Sequence, residues 1–462
     1  MIEKRLDEIA KMLGGEISDT KFSDTKIKGI SIDSRTIKKD NLYIPIVGEK
    51  FDGRIFIEEC ENAGSPAFLI DKNYKIPKSI SIPYVKVEDT KKALQDLAKA
   101  YRDELDIKII AITGSNGKTT SKNLIHSVLS EKYKVQKTQG NFNNNIGLPL
   151  TLLDFSKDTE IGVVEMGTED FGEISELTHI ARPDMAMITN IGDAHLLKLK
   201  SKEGIAKAKL EILEGLKKDG TFIYNGDDEI LKKVLPSYEI EQKIISFGTS
   251  EEVDFKVSPK EFSSTYTKFS YENEDYTVPL LGSHQVLNGA LAVLIGKLFN
   301  LSYKEINKGL SKASNNANRN ELIERNGFDI LDDAYKSNPQ SLKQGLELAG
   351  FLDGYLNKIV VLGDMLELGD GEKNLHYKSG LDIDPKKINY CLFYGPLCKE
   401  MYRASLENFP EDRSFYFENK NDLIDKLKLL ITKSTLVFVK GSRGVHMEEV
   451  IEAIYDFRVW LK

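Results

Sequence analysis

A lysine bracketed by glycine and threonine sits at the centre of ITGSNGKTT (112–120), and the residue types around it suit one kind of chemistry. An apolar strand runs into Gly114, Ser115, Asn116, Gly117, Lys118, Thr119 and Thr120, and a helix with Leu124, Ile125, Val128 and Leu129 on its inner side follows. Glycines let consecutive backbone N–H groups converge on phosphate oxygens, and the first helical turn adds its positive end. Lys118 has the reach and charge for the β- and γ-phosphates of a nucleotide, and the Thr119 hydroxyl suits Mg²⁺. The strict phosphate-loop pattern would need glycine at position 112, where Ile112 stands, so this loop is a shortened form.

Three further residues could work beside that loop. Glu165 closes the apolar run IGVV (161–164), and His195 follows MAMITNI (185–191). In an open parallel sheet the carboxyl ends of the strands share one crevice, so both would face the phosphate loop. Glu165 suits Mg²⁺, directly or through water. Neutral His195 could ligate a second divalent ion, and a lone histidine there also reads as a turn or cap residue. Lys209 lies in KEGIAKAKLEILEGLKK with Ile205, Ile212, Leu213 and Leu216 on its helical face and Lys207, Glu211, Glu214 and Lys218 opposite. One reading is a lysine whose stem covers apolar surface. The other is a desolvated amine of lowered pKa, able to take up CO₂ as a carbamate. Arg319 and Asp333 flank the strand FDILDD. Asp332 and Asp333 read either as turn formers or as part of a lid, with Arg319 on phosphate and Asp333 on ribose hydroxyls.

The elements that would position these groups follow from periodicity. Glu88–Leu105 places Ala93, Leu94, Leu97, Ala98 and Tyr101 at helical spacing before the strand IKIIAIT (107–113), which predicts a boundary near 105. Strands then alternate with helices through IGVV, MAMITNI, a helix near 203–218 and TFIYN (221–225), as in a mostly parallel sheet. Residues 250–280 read as an antiparallel insertion. A polar joint at 311–320 breaks the pattern, and alternation restarts through KIVVLGD (358–364), INYCLFYG (388–395) and LVFVKGS (436–442). The expected fold is α/β in three domains: a small α/β domain (1–105), a central domain like P-loop ATPases (106–318) and a Rossmann-like domain (319–462). No GxGxxG fingerprint follows the last set of strands.

The 462 residues suit such a division, and a net charge of −8 lacks the basic excess of a nucleic-acid binder. Cys60, Cys391 and Cys398 match neither a disulfide framework nor a CxxC metal site, so a reducing cytoplasm is expected. The charged N-terminus has no apolar signal region, and the longest apolar run, around Gly289–Gly296, is too short to span a membrane.

Taken together, the chain resembles the Mur ligases of bacterial cell-wall synthesis from end to end. The shared segments are TGSNGKT (113–119), GNFNNNIGLP (140–149), EMG (165–167), TNIGDAH (189–195), AKLEI (208–212), GSHQVLNGALA (282–292) and DDAYKSNP (332–339). LGDMLELGDGEKNLH (362–376) and VKGSRGVHME (439–448) resemble the type that adds D-alanyl-D-alanine to a UDP-N-acetylmuramoyl-tripeptide. The resemblance implies that ATP phosphates and Mg²⁺ meet Lys118 and Thr119, that Glu165 and His195 serve two Mg²⁺ sites, and that Lys209 is carbamylated. It also implies Asn145 for the phosphate and metal network, Asn288 for adenine, and Arg319 and Asp333 for the nucleotide. IDSR (32–35) and GEKFDG (48–53) resemble the uridine-diphosphate segment, giving Ser34, Arg35, Gly48 and Asp52 as substrate contacts, with Asn338 near the second substrate. Two positions depart from the pattern: Arg54 stands where the family has histidine, and Lys336 where it has asparagine.

The implied reaction is ATP-dependent amide synthesis through an acyl phosphate, carried out by a cytoplasmic monomer. A tripeptide-forming or folylpolyglutamate-type ligase is the nearest rival, which LGDMLELG argues against. A P-loop ATPase or switch is the rival from another class.

Overall fold

The structure, a computed structural model, describes residues 1–49, 51–313, 320–325 and 327–459. Arg319 and most of the polar joint lie outside the described residues.

The central sheet is built on strand Lys108–Thr113, whose residues after Lys108 are all buried. A continuous apolar run, rather than an alternation, suits a parallel strand covered on both faces. Ile109 and Ala111 join one core, while Ile110 and Ile112 join another beneath helices Lys118–Leu129 and Gln285–Leu298. The sheet has nine strands, in the order Glu274–Val278, Thr267–Tyr271, Phe255–Phe262, Lys243–Gly248, Thr221–Asn225, Met185–Ile188, Lys108–Thr113, Ile161–Glu165, Val135–Lys137. Its first two strands are antiparallel to their neighbours and the other pairings are parallel. Residues 250–280 are therefore an extension of the central sheet's edge rather than a separate insertion. Phe269, Tyr276 and Val278 are buried in the same core as Ile110, which is why these strands dock there.

The N-terminal part carries a five-stranded sheet and a short pairing of Glu3–Arg5 with Lys26–Lys28. Helix Thr90–Glu104 starts where Asp89 accepts the Lys92 N–H at 2.6 Å and buries the face read from its spacing. That face does not end a core at 105. It packs on helix Gly147–Asp154, Tyr101 Oη donates to the Phe155 carbonyl at 2.8 Å, and one apolar cluster runs from Ile2 to Val234.

The C-terminal sheet has the order Glu321–Glu324, Phe328–Asp333, Thr435–Lys440, Asn357–Gly363, Tyr390–Tyr394, Ser414–Phe417, and only its first strand is antiparallel. The helix read as 203–218 is shorter. It spans Lys202–Leu210 and tightens into a 3₁₀ turn at Glu211–Leu213, because Gly215 packs directly on the Thr178 carbonyl and redirects the chain.

Candidate active site

The phosphate loop joins strand Lys108–Thr113 to helix Lys118–Leu129 and is braced from behind by TNIG (189–192). The Ser115 N–H donates to the Asn190 carbonyl at 2.9 Å and the Asn116 N–H to Asn190 Oδ1 at 3.0 Å. Thr189 Oγ1 donates to the Asn116 carbonyl at 2.6 Å, and the Gly192 N–H to Ser115 Oγ at 2.8 Å. Two loop positions need glycine: Gly114 has φ +149° with Thr189 Oγ1 1.9 Å from any added Cβ, and Gly117 has φ +79° with Asn288 Oδ1 at 2.6 Å. Lys118 Nζ donates to the Gly114 carbonyl at 2.6 Å, curled over the loop it serves, and Thr119 and Thr120 open the helix. Asn288 braces this helix from behind, accepting from Ser121 Oγ at 3.1 Å and donating to Gln285 Oε1 at 2.9 Å.

Glu165 is the last residue of its strand and is buried beside the loop. Asn143 Nδ2 donates to Glu165 Oε1 at 2.9 Å, and Lys122 Nζ lies 3.3 Å from Oε2. Sequence reasoning missed Lys122. The available signal was its place one helical turn after Lys118, which puts it on the same side of the helix.

His195 sits at φ +61° at the start of a short helix. Its Nδ1 lies 2.8 Å from Glu367 Oε2, and Lys336 Nζ lies 3.0 Å from Nε2. A carboxylate only accepts, so Nδ1 carries the proton and Nε2 accepts from the ammonium. Burial lowers the His195 pKa, and the bond from His195 lowers that of Glu367. Glu367 comes from LGDMLELGDGEKNLH, a loop pinned by His376: the Met365 N–H donates to His376 Nε2 at 2.9 Å, and the Leu197 N–H reaches the Glu367 carbonyl at 3.1 Å.

Lys209 points inward as its helical face predicts and is 2% exposed. Burial, then the charges of Lys118 and Lys336, push its amine well below the ordinary lysine range. Lys118, His195 and Lys336 line both a cleft of about 400 Å³ and an adjoining chamber of about 310 Å³, and Lys209 and Asn145 line the chamber. Thr119, Glu165, Asn288, Asp333 and Asn338 line the larger cleft.

The C-terminal sheet closes this cleft from the far side. Asn116 Nδ2 donates to Gln340 Oε1 at 2.9 Å, and Asn338 Nδ2 donates to Asn116 Oδ1 at 3.0 Å. Asn338 also caps helix Pro339–Phe351, accepting from the Ser341 N–H at 2.8 Å, so its amide serves the cap and the bridge at once. Asp333 is paired with buried Lys440. Burial pushes Asp332 up to about 6.

Ser34 and Arg35 lie in the turn after strand Ile30–Ser31, and Gly48 and Asp52 in the segment after strand Leu42–Tyr43; none of the four lines either cavity. Arg35 pairs with Asp33 at 2.7 Å and is largely exposed. Arg54, at the departure from the family pattern, clasps Asp52 at 2.7 Å and lies over the Tyr74 ring.

Profiles of three Mur ligase domains match the chain: the family's catalytic domain at 26–102, the middle domain at 112–296 and the glutamate ligase domain at 318–443. Over 458 residues, 99% of each chain, it is 41% identical to the UDP-N-acetylmuramoyl-tripeptide–D-alanyl-D-alanine ligase of Bacillus subtilis. The chain belongs to the Mur ligase family. The ligase of the same name from Escherichia coli is 30% identical over 99% of both chains. Among solved structures, MurF from Acinetobacter baumannii superposes with a TM-score of 0.88 at 27% identity over 98% of both chains. MurF ligase from Thermotoga maritima in complex with ADP does so with a TM-score of 0.78 at 26% identity, covering 92% of this chain and 96% of that one.

For a Mur ligase that needs Mg²⁺, the Thr119 hydroxyl and Glu165 carboxylate are hard oxygen donors in one cleft and fit the ion. Beside His195, Nε2 accepts from Lys336, and carboxylate oxygens of Glu169 and Glu367 lie within 4.8 Å of a ring nitrogen. Among the described residues, no helix is long and apolar enough to cross a membrane.

Proposed function

We propose that this chain joins D-alanyl-D-alanine to UDP-N-acetylmuramoyl-tripeptide at the expense of ATP, giving the UDP-linked pentapeptide used in peptidoglycan synthesis. The observation that carries this reading is the convergence of Lys118, Glu165, His195 and Lys209 on cavities that the C-terminal motif LGDMLELGDGEKNLH helps to close. The full-length likeness to ligases named for that reaction supports the choice of substrates.

The chemistry is the attack of the tripeptide's terminal carboxylate on the γ-phosphate, which forms an acyl phosphate and releases ADP. The dipeptide amine then adds to the acyl carbon and phosphate leaves. The negative charges of nucleotide and carboxylate repel, so the protein's work is positioning and neutralisation. The Gly117–Thr119 backbone N–H groups at the helix start receive the phosphates, and Lys118 swings from the Gly114 carbonyl onto the β- and γ-oxygens. Mg²⁺ held by Thr119 and Glu165 would supply further charge neutralisation at the same oxygens. In this reading Asn288 meets the adenine, Asn145 belongs to the phosphate and metal network of the chamber it lines, and Asp333 and Arg319 serve the nucleotide.

Lys209 has the environment for carbamylation: a neutral amine adds to CO₂ and loses a proton, leaving an N-carboxylate. Ser34, Arg35, Gly48 and Asp52 take the uridine diphosphate, and Asn338 borders the amine substrate. On the same reading the ligase acts as a monomer in the cytoplasm.

Phosphate release measured with ATP and Mg²⁺ tests the reading. Release should require the UDP-tripeptide and D-alanyl-D-alanine together and be accompanied by the pentapeptide mass. Equal release with ATP alone would instead favour an ATPase.

A further inference from the structure

The two ring nitrogens of His195 have different partners. His195 Nδ1 is turned to Glu367 at 2.8 Å, which leaves Nε2 as the only ring nitrogen able to bind a metal. Lys336 Nζ donates to that atom at 3.0 Å. The Lys336 backbone is itself fixed, because Lys440 Nζ donates to its carbonyl at 2.9 Å while pairing with Asp333. The ammonium lines the chamber with Lys118 and Lys209.

We propose that Lys336 replaces the divalent ion at the His195 position, so that this chain works with one resident divalent ion, at Thr119 and Glu165. The inference rests on the ligase reading above and refines its cation requirement. A primary ammonium bound to Nε2 places a positive charge where the pattern of the family implies Mg²⁺. Its charge acts on Lys209 across the chamber that both line and would favour a carbamate there. Unlike a dissociable ion, it is delivered by the loop between strand Phe328–Asp333 and helix Pro339–Phe351, so the charge is present only when the C-terminal sheet is seated on the cleft. Glu169 and Glu367 lie within 4.8 Å of His195 and face water. Glu367 is held by the His195 proton. Removing Lys336 frees Nε2 and leaves these carboxylates to complete a metal site.

Mn²⁺ in place of Mg²⁺ gives a direct count. The full chain, saturated with the β,γ-imido analogue of ATP, is titrated with Mn²⁺ while the free ion is followed by paramagnetic resonance. The wild type should hold one tight Mn²⁺ per chain. Lys336→Asn and Lys336→Gln should each hold two, the second at least 10-fold tighter than any second uptake by the wild type, with the spectral broadening of a close ion pair. His195→Ala in the Lys336→Asn background should return the count to one. Lys336 is exposed to the cleft, so these substitutions leave the core intact. Two tight ions in the wild type, or no second ion in either Lys336 variant, would overturn the proposal and leave the ligase reading standing. Failure of the chain to bind the nucleotide analogue would overturn both.

Discussion

Lys122 Nζ stands 3.3 Å from the Glu165 carboxylate, and both side chains are almost wholly buried beside the phosphate loop. The ammonium offsets the cost of burying the carboxylate, and the carboxylate that of burying the ammonium. Lys122→Met should therefore cost about 3 kcal/mol of stability, because it strands the Glu165 charge. Glu165→Gln added to that variant should recover most of the loss without recovering ligation. Urea unfolding of the single and double variants checks this, and a double variant no more stable than Lys122→Met would contradict the pairing.

Lys118→Ala removes the charge that the ligase reading assigns to the transferred phosphate while leaving the glycine turns and the buried helix face unchanged. Turnover should fall by roughly 10²- to 10³-fold, with the thermal midpoint nearly unaltered. Near-normal turnover would refute the role given to this lysine.

Lys209 is predicted to carry a carbamate. Its lowered pKa lets the amine be neutral and nucleophilic at pH values where an ordinary lysine is charged, so the adduct should form at lower pH than on an exposed lysine and be lost as acid protonates the amine. Carbon-13 resonance of the protein equilibrated with labelled CO₂ should show one carbamate signal that disappears in Lys209→Arg. Lys209→Ala should be inactive, and a small added carboxylate should restore part of the activity. An unlabelled wild-type protein with full turnover would exclude the adduct.

His284 gives a pH dependence with a definite sign. Burial first, then the charge of Lys440, lowers its pKa to about 4, and its Nδ1 is buried without a partner. The unfolded imidazole takes its proton near the ordinary value of about 6.5. The unfolded state therefore binds more protons between these values, and stability falls as pH drops from about 6.5 towards 4. Between pH 7.5 and pH 5 the loss from this one group is roughly 2 kcal/mol, calculated at about 1.36 kcal/mol per pKa unit. Denaturation at the two pH values should show a drop that is smaller by that amount in His284→Asn. Equal drops in both proteins would rule out a neutral His284.

The phosphate loop was legible from sequence because its chemistry is local. Gly114, Gly117, Lys118 and Thr119 are neighbours in the chain, and an apolar run before them and a helical stripe after them define strand and helix with no distant information. The inward direction of Lys209 was readable for the same reason, since 3.6-residue periodicity assigns a face. Glu165 and His195 could be placed at one crevice because parallel strands align their carboxyl ends. What periodicity cannot carry is the pairing of groups more than a hundred residues apart. Lys336 meets His195, Asn338 meets Asn116 and Glu367 holds the His195 proton only because the C-terminal sheet docks over the central one. The edge position of residues 250–280 was likewise decided by packing, as their aromatic residues found a shared core with Ile110 that alternation alone does not locate. Local backbone and solvent preferences act over a few residues and are written in the sequence order. The partner of a buried charge is set by which surfaces come together, and that is a property of the folded chain.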